Sequence, residues 1–125
     1  MSLDSWMEEF YPVRACDCPR DQALEHSILK WTGLLPENLE KHGVVKSSYY
    51  IETPDKAEDL LIDESSCALC QHHYHCRPEE DPCPIVLVTG TTCDSHYDRF
   101  IYRNQVTPML DLLRQVKEAL DAPQA

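Results

Sequence analysis

Five of the seven cysteines lie between residues 67 and 93, and their spacing constrains the fold more than any other feature. The pattern is C-x2-C-x5-C-x6-C-x9-C. A C-x2-C pair places two sulfur atoms close enough to share one small ion, either on a turn or on the first turn of a helix. Because a short irregular segment buries too little apolar surface to fold alone, we expect bound metal to stabilise this one.

The expected metal is zinc, which takes four ligands in tetrahedral geometry. The predicted ligands are Cys67, Cys70, Cys83 and Cys93, with Cys76 as a substitute ligand. A site of three cysteines and one histidine, using His72 or His75, stays open. An iron–sulfur cluster is the alternative, because four thiolates and a Cys-Pro step would serve it, although a tight C-x2-C-x2-C run is absent. A closed four-thiolate shell leaves no open coordination position, so we expect a structural site.

The remaining cysteines and histidines have less specific interpretations. Cys16 and Cys18 form a C-x-C pair that could complete the centre or remain free thiols. Cys16 is interpreted first as a small buried apolar side chain, and so, less strongly, is Cys18. We expect His73 to be exposed and unliganded. We also expect His26 and His42 to lie on the surfaces of helices rather than to bind metal.

The use of cysteine bears on the compartment. The acidic N-terminus lacks the basic and apolar regions of a signal peptide, and no run approaches the ~18 to 20 apolar residues that span a bilayer. We therefore expect a cytoplasmic protein with no membrane association. In a reducing compartment, dense and odd-numbered cysteine favours metal ligation or thiol chemistry over disulfides.

The charge balance bears on the partners. The chain carries 22 acidic and 11 basic residues, for a formal net charge of −11. Such a surface repels phosphate backbones, so direct binding of DNA or RNA is not expected. We expect a protein partner; the sequence does not identify it, nor does it give the oligomeric state.

The sequence predicts three helices, two of them from apolar periodicity and one from its end residues. Residues 21–35 place Leu24, Ile28, Trp31 and Leu35 on one stripe, with Asp21 as a predicted N-cap. A short helix is predicted from Pro36 to the stop at Gly43. The C-terminal helix has Thr107 as its cap and Pro108 in its first turn. The predicted apolar face of that helix is Met109, Leu112, Leu113, Val116 and Leu120.

Two short strands complete the expected structure. Residues 44–51 are rich in β-branched and aromatic residues, and residues 52–66 are interpreted as an acidic loop. The apolar run "PIVLV" between Pro84 and Gly90 has the length of a strand.

The predicted fold class is mainly α, with α+β as a possibility. At 125 residues a single domain is expected, in which the N- and C-terminal helices pack around a small loop-rich, metal-stabilised centre with one or two short strands. The predicted segments are an N-terminal arm (1–18), a helical segment (19–43), a strand and loop connection (44–66), the cysteine-rich metal-binding centre (67–93) and a C-terminal helix (107–121).

A second pattern competes for one of the cysteines. Cys93 and Arg99 are spaced C-x5-R, as in cysteine-dependent phosphatases, whose loop wraps backbone N–H groups around a phosphate. Two features argue against this interpretation. Asp94 and Asp98 would repel phosphate, and no glycine lies where the backbone must approach it closely.

The segments "ILKWTGLLPENLEKHGV", "SCALC", "CP" before an apolar run, a further cysteine and "TPMLDLLRQVKEAL" together resemble a group of small proteins. The group consists of uncharacterised bacterial and phage-associated proteins with a CALC…CP…C core between two helices. The resemblance covers roughly residues 24–120. It implies that Cys67, Cys70, Cys83 and Cys93 match the core cysteines, gives Cys76 no counterpart, and implies no activity.

Three functions are therefore considered. The first is a small acidic zinc-stabilised protein that acts as a protein-interaction module. The second is an acidic inhibitor or nucleic-acid mimic that binds a basic protein. The third is a cysteine-dependent enzyme, either phosphatase-like at Cys93 or a redox enzyme. The sequence favours the first and argues against an enzyme.

Overall fold

The structure, a computed structural model, describes residues 3–48, 50–56, 58–62, 66–73, 83–90 and 92–121, with positions 20, 72 and 73 described for the backbone alone. The helices are α1 (Leu3–Phe10), α2 (Ala23–Gly33), α3 (Pro36–His42), α4 (Ala68–His73), α5 (Pro84–Thr89), α6 (Asp94–Arg103) and α7 (Thr107–Asp121). The strands are β1 (Val45–Ser47), β2 (Tyr50–Glu52) and β3 (Asp59–Leu61). The prediction of a mostly helical fold is confirmed.

Helix α1 lies in the segment described from the sequence as an N-terminal arm, for which no helix was predicted. Its apolar residues Leu3, Trp6 and Phe10 recur at three and four positions and are all buried. The Trp6 indole Nε1–H donates a hydrogen bond to the carbonyl of Gly33 at 2.8 Å. Because a Cβ atom at Gly33 would lie 2.4 Å from the Phe10 ring, the close packing of α1 on α2 requires glycine there.

Helices α2 and α7 are the two predicted long helices, and they pack against each other. A 3-10 turn over Arg20–Gln22 precedes α2, and Gln22 occupies the N-cap position that was predicted for Asp21. Four of the five residues predicted for the apolar face of α7 are buried. The exception is Leu120, which is 52% exposed.

The sheet has three antiparallel strands in the order β1-β2-β3. The sequence predicted one strand over residues 44–51 and a loop beyond it; instead a turn that includes Ser48, whose φ is 57°, divides this segment, and the expected loop supplies β3. Ile51 in the central strand and Ile62 after β3 are fully buried. The polar residues around them obscured the strand pattern because each strand has only three residues.

The apolar run "PIVLV" forms helix α5, and the predicted strand was wrong. Pro84 occupies the first turn, and Gly90 ends the helix with a left-handed φ of 76° while its N–H bonds to the carbonyl of Val86. A short continuous apolar run has no periodicity that distinguishes a buried strand from a buried helix. Here the proline at its start and the glycine at its end favour a helix.

Helix α6 was not predicted, and it packs against the core. Phe100 is fully buried and meets the Trp31 ring edge-on, with ring centroids 4.9 Å apart. The Tyr97 hydroxyl donates a hydrogen bond to the carbonyl of Ile62, which joins α6 to the end of the sheet. Asn104 ends α6 in the left-handed conformation.

Within the described ranges, no helix combines the length and apolarity needed to cross a membrane.

Candidate functional site: a cysteine-lined cavity

Three of the predicted ligands immediately precede a helix. Cys67 precedes α4, Cys83 precedes α5 and Cys93 precedes α6. In each case the cysteine carbonyl accepts a hydrogen bond, 2.9–3.1 Å long, from the N–H group four residues further along the chain. The backbone of each cysteine is thereby fixed by the start of a helix.

Cys67, Cys70 and Cys93 line one cavity of about 370 Å³. Its walls come from α2, α4, α5, α6 and α7, from the residue after β3 and from the segments before α4 and α6. Ser27 and Lys30 of α2 contribute polar groups, and Trp31 and Leu113 are among its apolar walls. Three of the four cysteines that the sequence nominated as ligands thus lie on the walls of one cavity.

Cys67 and Cys70 form a hydrogen-bonded pair. The Cys70 thiol donates to the Cys67 sulfur, and this bond is the main reason why the pKa of Cys67 is lowered to about 5. Burial opposes the shift, while the Lys30 ammonium, the Cys70 backbone N–H and the Ser27 hydroxyl reinforce it. The lowered pKa favours the thiolate form of Cys67, which is the form that binds metal and attacks electrophiles.

Lys30 brings a positive charge into the core beside this thiolate. Its side chain is 1% exposed, and its Nζ donates to the carbonyl of Ser66 at 2.9 Å and lies 3.5 Å from the Ser66 hydroxyl. A buried ammonium is costly unless it is hydrogen-bonded and close to negative charge. The attraction between Lys30 and the Cys67 thiolate lowers the pKa of Cys67, so that thiolate is the negative charge close to the ammonium group.

Ser27 adds a hydroxyl group to the same cavity. The residue is 1% exposed, and within the described part of the chain its Oγ makes no hydrogen bond of ordinary geometry. Its closeness to the Cys67 sulfur nevertheless contributes to the lowered pKa there. Ser27 and Lys30 were not identified from the sequence. Ser27 lies three residues before Lys30 and four before Trp31, a spacing that could have placed them on the buried face of α2.

The fit of these cysteines to a metal ion is partial. Zinc–sulfur bonds of about 2.3 Å in a tetrahedron separate two sulfurs by roughly 3.7 Å, a spacing that suits a hydrogen-bonded pair such as Cys67 and Cys70. Among the described residues, however, no three His, Cys, Asp or Glu side chains lie close enough together to hold a metal ion. Cys93 borders the same cavity, whereas Cys83 is 2% exposed and is not part of its lining.

Several nominated ligands lie outside the described residues. Cys76, the substitute ligand, and His75 fall within residues 74–82, and for His72 only the backbone is described. The choice between four cysteines and three cysteines with one histidine therefore stays a prediction.

Cys16 and Cys18 differ from each other. Cys18 is buried, its Sγ donates to the carbonyl of Pro19 at 3.4 Å, and burial raises its pKa. Cys16 is exposed, so its interpretation as a buried apolar side chain was wrong. Neither residue lines the cavity that contains Cys67.

His26 and His42 were expected on helix surfaces, and both are buried. The His26 Nε2 group bonds to the carbonyl of Val13 at 2.6 Å, and its ring meets Tyr11 edge-on. His42 joins α3 to α1 through Ser5 Oγ at 2.8 Å and Glu9 Oε1 at 2.7 Å. Their positions on short helices gave no sign of burial, because the helices that cover them come from other parts of the chain.

The cluster of Ser5, His42 and Glu9 has the hydrogen-bond order of a hydrolase triad. Ser5 and Glu9, however, are one turn apart on the same helix, and His42 simply bridges them. Ser5 does not line the cavity that contains Cys67. The arrangement therefore acts as a clamp between α1 and α3.

The C-x5-R segment does not form a phosphate-binding loop. Residues 94–99 belong to α6, in which backbone N–H groups are directed along the helix rather than around an anion. Arg99 is exposed on this helix, whereas Cys93 is half-buried at its start.

Comparisons with protein-family models, with curated proteins and with solved structures found no match to this chain. The resemblance to the CALC…CP…C group accordingly stays a prediction.

Proposed function

We propose that the protein is a zinc-stabilised interaction module whose metal is held by Cys67, Cys70, Cys83 and Cys93. The observation that carries the proposal is that Cys67, Cys70 and Cys93 line the same cavity. The hydrogen-bonded pair Cys67 and Cys70 would supply two of the ligands. Cys93, on the wall of the same cavity, would be the third ligand, and Cys83 or Cys76 would complete the shell.

The charge around the cysteines supports the same proposal. Four thiolates and one Zn²⁺ carry a net charge of −2, which must be offset in a buried site. Lys30 provides one positive charge and Ser27 one hydroxyl donor at the cavity wall. Donors of this kind next to ligating groups orient them and tune metal affinity.

Cobalt substitution tests the ligand set. Co²⁺ bound by thiolates gives strong sulfur-to-metal and d–d absorption, whose intensity reports tetrahedral coordination. We expect one equivalent of Co²⁺ to produce these bands and one equivalent of Zn²⁺ to remove them. Cys67→Ser, Cys70→Ser and Cys93→Ser should each weaken the bands strongly, whereas Cys16→Ser, at an exposed cysteine, should not.

Cys83→Ser and Cys76→Ser, measured in the same assay, identify the fourth ligand. We expect Cys83→Ser to weaken the Co²⁺ bands. If Cys76→Ser weakens them instead, Cys76 is the fourth ligand. Full bands in all three variants at Cys67, Cys70 and Cys93 would contradict the proposal.

A thiol–disulfide function is the second candidate, favoured by the hydrogen bond between Cys70 and Cys67 and by the lowered pKa. In this reaction the Cys67 thiolate attacks a substrate disulfide and releases one thiolate; Cys70 then attacks the mixed disulfide. The Cys67–Cys70 disulfide forms, and the substrate gains the two electrons and two protons. Equilibration of metal-free protein with glutathione buffers tests it, because a reversible two-hydrogen mass change should require Cys67 and Cys70 but not Cys93.

A further inference from the structure

A second, more open cavity of about 560 Å³ lies beside the cysteine centre. Leu69 borders both cavities, so the two share a wall. We call this second cavity the acidic groove. Its lining consists of Asp21, Leu24, Glu25, Leu69, Pro84, Leu120 and Asp121.

The acidic groove combines an apolar surface with carboxylate groups. Leu24 and Leu69 are buried beneath it, while Leu120 is 52% exposed although it belongs to the apolar face of α7. A leucine that extends a core-facing stripe into an open cavity gains stability when a partner covers it. The groove therefore offers one side of a small hydrophobic contact.

The charges of the acidic groove favour a cationic partner. Asp21, Glu25 and Asp121 contribute three carboxylates, and Lys117 is the cation between two of them, 3.3 Å from Glu25 Oε1 and 2.8 Å from Asp121 Oδ2. Both ion pairs are exposed, and such pairs contribute only about 0 to 1 kcal/mol, so an incoming cation can replace Lys117 readily. The net charge of −11 further favours encounter with basic partners.

We propose that the acidic groove binds a short basic segment of a partner protein. Lysine or arginine groups of that segment contact Glu25 and Asp121, and an apolar side chain packs on Leu120. The inference rests on the proposed interaction role and names the class of partner. The metal centre would support the groove, because Leu69 lies between Cys67 and Cys70 and Pro84 follows Cys83.

Peptide titrations of the zinc-loaded protein, followed by amide NMR shifts and calorimetry, test the inference. The probe is an acetylated, amidated five-residue peptide of alternating lysine and leucine. Matched probes replace leucine by serine or lysine by glutamate. We expect saturable shifts around Leu24, Glu25 and Leu120 with the first probe only, and weaker binding at high salt.

Paired variants separate groove binding from general charge attraction. Glu25→Gln combined with Asp121→Asn should weaken binding about tenfold, since two rim charges are lost. Asp111→Asn combined with Glu118→Gln removes the same charge from exposed positions of α7 outside the groove and should leave binding nearly unchanged. Leu120→Ser should weaken binding, whereas Leu87→Ser, at another exposed leucine, should not.

Two outcomes overturn the inference: no saturable shifts at millimolar peptide, or equal losses with the groove and control variants. The zinc content of each sample keeps the two proposals distinguishable. Zinc-loaded protein without peptide binding contradicts the acidic groove alone. Peptide binding by protein that never takes up zinc contradicts the metal proposal alone.

Discussion

Lys30 is a charged residue in a helix position that faces the core. If its ammonium group stabilises metal-bound thiolates, Lys30→Met should keep the packing but lower zinc affinity by roughly 10- to 100-fold, as the loss of groups next to metal ligands does. Competition with a chromophoric chelator measures the change. Lys46→Met is the matched control, because Lys46 is half-buried near Phe100 and does not line the cavity. Equal affinities for wild type and Lys30→Met would contradict a role for this charge.

His26 predicts a pH dependence of stability. Burial lowers its pKa below 6.5, so protons bind the unfolded chain more readily than the folded one. The contribution of His26 to the free energy of unfolding is therefore fully present above pH 6.5. It is lost as the pH falls through the pKa that His26 has in the folded protein. His26→Gln keeps a donor for the carbonyl of Val13 but does not titrate. Urea unfolding at pH 7.5 and 5.5 should show a smaller loss for the variant; identical losses would contradict the prediction.

At single residues, the sequence predicted the closeness of Cys67 and Cys70 better than it predicted which residues are buried. The C-x2-C spacing was sufficient to place Cys67 and Cys70 together, because residues three apart meet on one helical turn. Lys30, His26 and His42 gave no comparable signal. Their burial depends on distant residues, such as Ser66 near Lys30 and Glu9 beside His42.

Among the elements, the docking of α1 on α2 is the contact most sensitive to one substitution. Gly33→Ala would place a Cβ atom 2.4–2.7 Å from three atoms of the Phe10 side chain, so either Phe10 or the whole of α1 must shift. We expect a loss of about 1–3 kcal/mol in the free energy of unfolding, as in other overpacked cores.

Urea denaturation measures this loss, and the double variant Gly33→Ala with Phe10→Leu provides the control. The smaller leucine side chain should recover part of the stability that Gly33→Ala removes. If the double variant is less stable than the sum of the two single changes predicts, the steric explanation is contradicted.

Elements with strong local signals were predictable, and those defined by their neighbours were not. Helix α7 has a Pro in its first turn and a clear apolar stripe, and α3 has both Pro36 and Gly43 at its ends. In contrast, α5 is too short to show periodicity, and the three-residue strands are recognisable only once they pair. Helix α6 is held by the packing of Phe100 against Trp31, a contact between residues far apart in the chain.

For the whole molecule, metal binding is expected to support more than the cysteine segment. Helices α4 and α5 pack against α2 and α7 respectively, so the cysteines at their starts are coupled to the central helices. Removal of zinc by a chelator should lower the thermal midpoint by many degrees and reduce the helical circular dichroism signal. Addition of Zn²⁺ should restore both. Full helicity after complete metal removal would contradict a stabilising role.

The most direct test of the central claim is elemental analysis of native protein together with its visible absorption spectrum. A zinc-stabilised module should contain one zinc per chain, retain it through gel filtration and show no visible absorption. Loss of zinc in the Cys67→Ser variant should confirm the location. A well-folded wild-type protein that contains no metal under reducing conditions would contradict the claim. Iron together with visible charge-transfer bands would instead identify the bound group as an iron–sulfur cluster.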